Sequence, residues 1–176
     1  MVCINVVVGG RYPLIVRGVV SVLGAETDFN VAATCCNGAK CLEAIRNLSP
    51  DIALLDISMP GLGGLEILAA ASSEGLSTRV VLLGTSAKDP ELIVGVGRGA
   101  YGLILRDTTP AVLVQCLRQV ASGQRVFPSV ELRAAAIVAV QAFNVFTKDN
   151  DPYEDCASFE LGGRRTTVLL GDRLLR

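Results

Sequence analysis

Asp56 is the residue of this chain best placed to do chemistry. It closes the short apolar run Ile52-Ala-Leu-Leu55 and is followed at once by the Pro/Gly-rich stretch Ile57-Ser-Met-Pro60-Gly-Leu-Gly-Gly64. A run of that kind reads as a buried strand of a parallel sheet, whose carboxyl edge is where α/β folds place their sites. Asp56 is then a carboxylate presented at the mouth of a crevice. The competing reading is a strand-ending aspartate that only caps the next turn. Enzymatic alternatives find little support. The chain has no histidine to serve as a base, no Gly-x-Ser-x-Gly and no Walker loop. Val8-Gly9-Gly10-Arg11-Tyr12 breaks the spacing of a dinucleotide fingerprint.

Six cysteines, at 3, 35, 36, 41, 116 and 156, form no Cys-x-x-Cys pair. Cys35, Cys36 and Cys41 lack a fourth ligand at metal spacing, so they read as free thiols of a reducing compartment rather than a zinc site. Hydrophobic residues make up 51 % of the 176 positions and charged residues 19 %, enough apolar material for a sizeable core. The net charge is −1 and Lys/Arg are scattered until the C-terminus, which argues against a nucleic-acid surface over the first 145 residues. No apolar run reaches the ~18 residues of a membrane span, and Met-Val-Cys-Ile-Asn-Val-Val-Val lacks the positive start of a signal peptide. The expected location is cytoplasmic.

The elements that must position Asp56 follow from periodicity. Val2 to Val8 is a β-branched strand closed by Gly9-Gly10. Pro13 opens a helix ended by Gly24. Phe29 to Ala33 is a second strand, Asn37-Gly38 a turn, and Leu42, Ile45 and Leu48 stripe a second helix that stops before Pro50. The Asp56 strand comes third, followed by a helix through Leu65, Ile67, Leu68 and Ala71. Arg79 to Leu83 is a fourth strand, Pro90 to Arg98 a helix, Gly102 to Leu105 a fifth strand. Thr109 and Pro110 then cap and open a helix to about Ser122. Five strands alternating with five helices predict an α/β fold, a doubly wound five-stranded parallel sheet with right-handed crossovers. Its site should lie outside the carboxyl ends of strands one and three, where Asp56 and the Gly9–Tyr12 loop meet.

At this point the chain resembles a response-regulator receiver domain over residues 1 to about 128. The resemblance rests on Leu-Leu-Asp56-Ile-Ser-Met-Pro60-Gly-Leu-Gly-Gly64-Leu-Glu, with Pro13, Arg17-Gly18, Gly99-Ala100, Leu-Arg106-Asp107 and Pro110 in register. The run to Val126-Phe127-Pro128 is most similar to receivers that precede a LuxR-type helix-turn-helix. The resemblance implies a two-component signalling module, not an enzyme, with a histidine kinase or another signalling protein as partner. It places the phospho-acceptor at Asp56. It implies a magnesium ion held by two acidic residues after strand one, a Ser/Thr after strand four and a Lys after strand five.

Here the sequence departs from that pattern. The acidic positions hold Gly10 and Arg11, the Ser/Thr position Gly84 (with Thr85 and Ser86 next to it) and the Lys position Arg106. The aromatic position on strand five holds Leu103, with Tyr101 two residues earlier. Magnesium needs oxygen ligands, and none comes from side chains after strand one. The expectation is therefore no metal or other cofactor. Arg11, Arg106 or both should instead lie within ion-pair distance of Asp56, since a guanidinium is always charged and forks onto carboxylates. A conventional magnesium-dependent receiver lacking its output domain is the alternative.

Pro128-Ser129 opens an apolar helical pattern through Val130, Ala134, Ile137, Val138 and Ala142. Residues 128–146 are expected to be a linker or docking helix that packs on the receiver, 1–127, or on a second copy. The acidic tract from Lys148 and the arginines at 164 and 165 assign 147–176 to a flexible tail. A helix-turn-helix domain needs roughly 55–65 residues, so no complete DNA-binding domain is expected in this stretch.

Overall fold

The computed structural model describes residues 3–86, 90–128, 156–161 and 164–169. Five strands, β1 (Ile4–Gly9), β2 (Phe29–Cys35), β3 (Ile52–Asp56), β4 (Arg79–Gly84) and β5 (Gly102–Leu105), alternate with five helices. The helices are α1 (Pro13–Gly24), α2 (Gly38–Leu48), α3 (Gly64–Ser73), α4 (Pro90–Gly97) and α5 (Pro110–Ala121). The strands are parallel in the order β2-β1-β3-β4-β5, so the order reverses between β1 and β3, as the alternation predicts.

Why these residues take these positions is visible in the two faces of the sheet. Val6, Val8, Ile52, Leu54, Val81, Leu83 and Ile104 point to the face covered by α1 and α5. Val7, Ala53, Leu55, Val80, Leu82 and Leu103 point to the face covered by α2, α3 and α4. Alternating residues of β1, β3, β4 and β5 are thus apolar on both sides, the pattern that a sheet buried on both faces requires. Each fully buried Leu or Ile contributes about 1.5–3 kcal/mol relative to exposure, so the central strands anchor whatever stands at their ends.

Local signals set the boundaries. Pro13 and Pro110 occupy the first turns of their helices. Asn37 is more than a turn residue: its side chain accepts hydrogen bonds from Ala39 N–H at 2.9 Å and Lys40 N–H at 3.4 Å and so caps α2. The strand β2 runs two residues past its expected end at Ala33, to Cys35, because Gly10 N–H continues the ladder to the Cys35 carbonyl. After α5 the chain returns to the sheet edge, where Val126 pairs with Gly102 and Phe127 is buried. Among the described residues no helix is long and apolar enough to cross a membrane.

Within 147–176, strands β6 (Cys156–Leu161) and β7 (Arg164–Leu169) pair antiparallel from Cys156↔Leu169 to Leu161↔Arg164. The reason is local: Thr166, Thr167 and Val168 are β-branched and favour strands. Beyond Pro128, the expected helix over 128–146 lies outside the described residues.

Candidate functional site

Asp56 is the last residue of β3, at the rim of the sheet, and only 1 % exposed. A lone carboxylate that deep would be costly; it is stable there because its Oδ1 accepts two hydrogen bonds. One comes from Ser58 N–H at 3.1 Å, in the turn that follows the strand. The other comes from Arg106 Nη2 at 2.6 Å and is charge-assisted.

The fold explains why Arg106 arrives there. It follows β5 directly, and its N–H donates to the Gly84 carbonyl at 2.9 Å, carrying the ladder one step past the strand. From the rim its side chain crosses β4 to β3. The guanidinium carbon stands 5.2 Å from the centre of the Tyr12 ring, and Arg11 stands 5.8 Å from the same ring. Tyr12 is the residue just before α1 and is half-exposed. It thus lies beside the ion pair, within cation–π reach of both guanidinium groups. Arg106 Nε is buried and has no hydrogen-bond partner among the described residues.

Of the two arginines expected near Asp56, the structure brings only Arg106. Arg11 is exposed and turns onto Tyr12, making no ion pair with Asp56. It belongs to the loop between β1 and α1, beside the ring it covers. Gly10 faces the crevice: a Cβ on it would stand 4.0 Å from Asp56 Cβ and 2.8 Å from Val16 Cγ2. A methyl of α1 therefore fills the space that a longer side chain would need. At Gly84 a Cβ would meet Leu92 Cδ1 at 2.6 Å, so a leucine of α4 fills that space as well. Thr85 and Ser86 are exposed beside it. Leu103 is buried in the core, and Tyr101, at the opposite edge of the sheet, lies between Arg79 at 5.7 Å and Arg125 at 5.1 Å.

The sequence placed the Gly9–Tyr12 loop at the site but gave no role to the Tyr12 ring, Val16 or Leu92. Only Tyr12 carried a signal, its position directly before the proline that opens α1. The residues present do not fit a magnesium ion. No side-chain carboxylate follows β1 in the loop Gly10–Tyr12, and among the described residues no three acidic, histidine or cysteine groups converge. The carboxylate that remains is engaged by a guanidinium.

A parallel sheet of this order with an aspartate ending β3 defines the receiver class of signalling modules. The family model for the response regulator receiver domain matches residues 12–118, more than half of the chain, and the protein belongs to that family. The nitrate/nitrite response regulator NarL of Escherichia coli K12 is 34 % identical over 115 residues, 65 % of this chain and 53 % of that protein. The probable transcriptional regulatory protein NarL of Mycobacterium tuberculosis H37Rv is 40 % identical over 125 residues, 70 % of this chain and 57 % of that protein. The chain thus aligns with little more than half the length of these relatives. The solved signal receiver domain of Mycobacterium tuberculosis NarL is 36 % identical, with a TM-score of 0.67, and aligns over its whole length with 70 % of this chain. The chain is a two-component response-regulator receiver of the NarL/LuxR type. Such receivers are generally signalling modules without enzymatic activity of their own.

Proposed function

We propose that this receiver is a degenerate one, in which the acceptor carboxylate is permanently charge-compensated and signalling proceeds by protein–protein contact. The observation that carries the reading is the 2.6 Å bond from Arg106 Nη2 to Asp56 Oδ1, with the aspartate side chain 2 % exposed. Moving a phosphoryl group onto a carboxylate means bringing two anions together. A divalent cation bridging both oxygens ordinarily makes that feasible. Here the positive charge is covalently part of the chain and is already committed to the carboxylate. Gly10 and Arg11 supply no oxygen that would recruit a metal, so no cofactor enters this reading.

The partner is a histidine kinase or another signalling protein, or a second copy of this chain, in a cytoplasmic two-component pathway that controls transcription. The position of Asp56 at the acceptor register favours the competing reading, a receiver phosphorylated with magnesium. Incubation with acetyl phosphate and magnesium, followed by intact mass measurement, separates the two. The expected result is no phosphoryl adduct under conditions that label an ordinary receiver. Labelling of Asp56 at ordinary receiver rates would establish the competing reading.

A further inference from the structure

Two thiols meet over Gly9, one strand away from Asp56. Cys35 ends β2 and is the partner of Gly9 across the parallel ladder, so both residues direct Cβ to the same face of the sheet. That face is the one under α2, where Cys41 is buried and Cys35 half-buried against the same core. A Cβ placed on Gly9 would come within 2.7 Å of Cys41 Sγ. The missing side chain of Gly9 is thus the opening into which the Cys41 sulfur descends, beside Cys35. The two thiols lie close enough for each to perturb the other's ionisation.

We propose that Cys35 and Cys41 are a redox-active dithiol, which closes to an intramolecular disulfide on meeting a small disulfide oxidant. Cys35 is the attacking group because it is the more exposed of the two. Its thiolate attacks one sulfur of the oxidant, breaking the S–S bond and expelling one small thiolate. The Cys41 thiolate then attacks Cys35 Sγ and expels the second. Two protein thiols are oxidised, one small disulfide is reduced, and the two protons pass to the released thiolates. Burial pushes both thiols up, Cys41 to about 12, so both are protonated at neutral pH and the exchange runs faster as pH rises.

The bond would be felt at the neighbouring loop. The segment closed by it contains Asn37, which caps α2, and Gly38, whose N–H donates to the Pro60 carbonyl at 2.9 Å. Gly61 adopts φ +84°, and a Cβ there would stand 3.3 Å from Asn37 Nδ2. Residues 57–64 between β3 and α3 therefore rest on the ring that oxidation would close. This inference is independent of whether Asp56 accepts phosphate.

The test uses the full chain and a Cys36→Ser chain, since Cys36 is exposed and adjacent. Each is incubated with oxidised glutathione near pH 8.5, about the ordinary thiol pKa, then denatured, alkylated and mapped by mass spectrometry. Both chains are expected to lose two hydrogens through a Cys35–Cys41 link, reversed by dithiothreitol. Amide exchange at Gly38 and Gly64 should change in the oxidised form. A lasting glutathione adduct on Cys35, a bond to Cys36, free alkylation of both thiols, or unaltered exchange at those amides overturns the proposal.

Discussion

The two members of the Asp56–Arg106 pair differ in how far each can return to water, and that sets the cost of losing either. Asp56 is 2 % exposed at its side chain and Arg106 20 %. Removing one partner of a buried pair costs roughly 3–5 kcal/mol because the other charge is stranded. Arg106→Ala strands the carboxylate, which has no route to solvent, so it should destabilise by about 3 kcal/mol. Asp56→Asn strands the guanidinium, which can swing outward past Tyr12, and should cost only about 1–2 kcal/mol. Urea unfolding midpoints at constant m-value measure both. Equal and negligible losses would show that the pair contributes nothing. The partnership itself was legible in the sequence, because strand register counts carry both residues to the same rim. Which of the two arginines would reach the carboxylate was not legible: sequence position fixes where a Cα goes, while the path of a long loop side chain depends on neighbours such as Tyr12.

The helix α4 shows how an element can close a space at the site. Leu92 is fully buried and lies where a side chain on Gly84 would go, while Gly95 lets α4 approach until a Cβ would be 2.3 Å from Leu82 Cδ1. Interlocked packing of this kind leaves little room for an added methyl or hydroxyl. Gly84→Thr should destabilise by about 1–3 kcal/mol through overpacking, and Leu92→Ala by about 2–5 kcal/mol through the cavity it leaves. Combining them should cost clearly less than the sum, since each relieves the strain or void of the other. A double-mutant cycle on urea midpoints reads this coupling, and strict additivity would rule the interlock out. Elements of this kind are only half legible. Periodicity and proline positions located α4 and its strand, but nothing in the letters at 84 and 92 announces that one fills the hole left by the other. The pair β6–β7 was missed for a different reason: its twelve residues sit in a charged, glycine-containing stretch where composition outweighed alternation.

At the scale of the whole molecule, pH acts on stability from two sides through groups far apart. Arg118 joins α5 to the β2 approach by bonds to Asp28 at 2.7 and 2.8 Å, and these bonds hold the Asp28 carboxyl below its usual range. Arg46 does the same to Glu74 between α2 and the end of α3. A carboxyl lowered on folding contributes stability that is present above its unfolded pKa and is lost as pH falls through the folded one. The acid limb should therefore begin below about pH 4, and be shallow because these pairs are solvated. Thiols act in the opposite sense. Burial raises Cys35 and Cys116 and pushes Cys41 up to about 12, from an ordinary value of 9.0. The unfolded chain then loses its thiol protons first, so stability is full below pH 9 and declines as pH climbs from 9 toward 12. Urea midpoints across this range should fall more steeply for the natural chain than for Cys41→Ala, whose lower plateau reflects the cavity left by the missing sulfur. Parallel alkaline limbs in the two chains would mean that the buried thiol does not link folding to pH. The comparison reports on Cys41 together with the Cys35 thiol it touches, because tyrosine and lysine titrations are common to both chains and cancel in the difference of slopes.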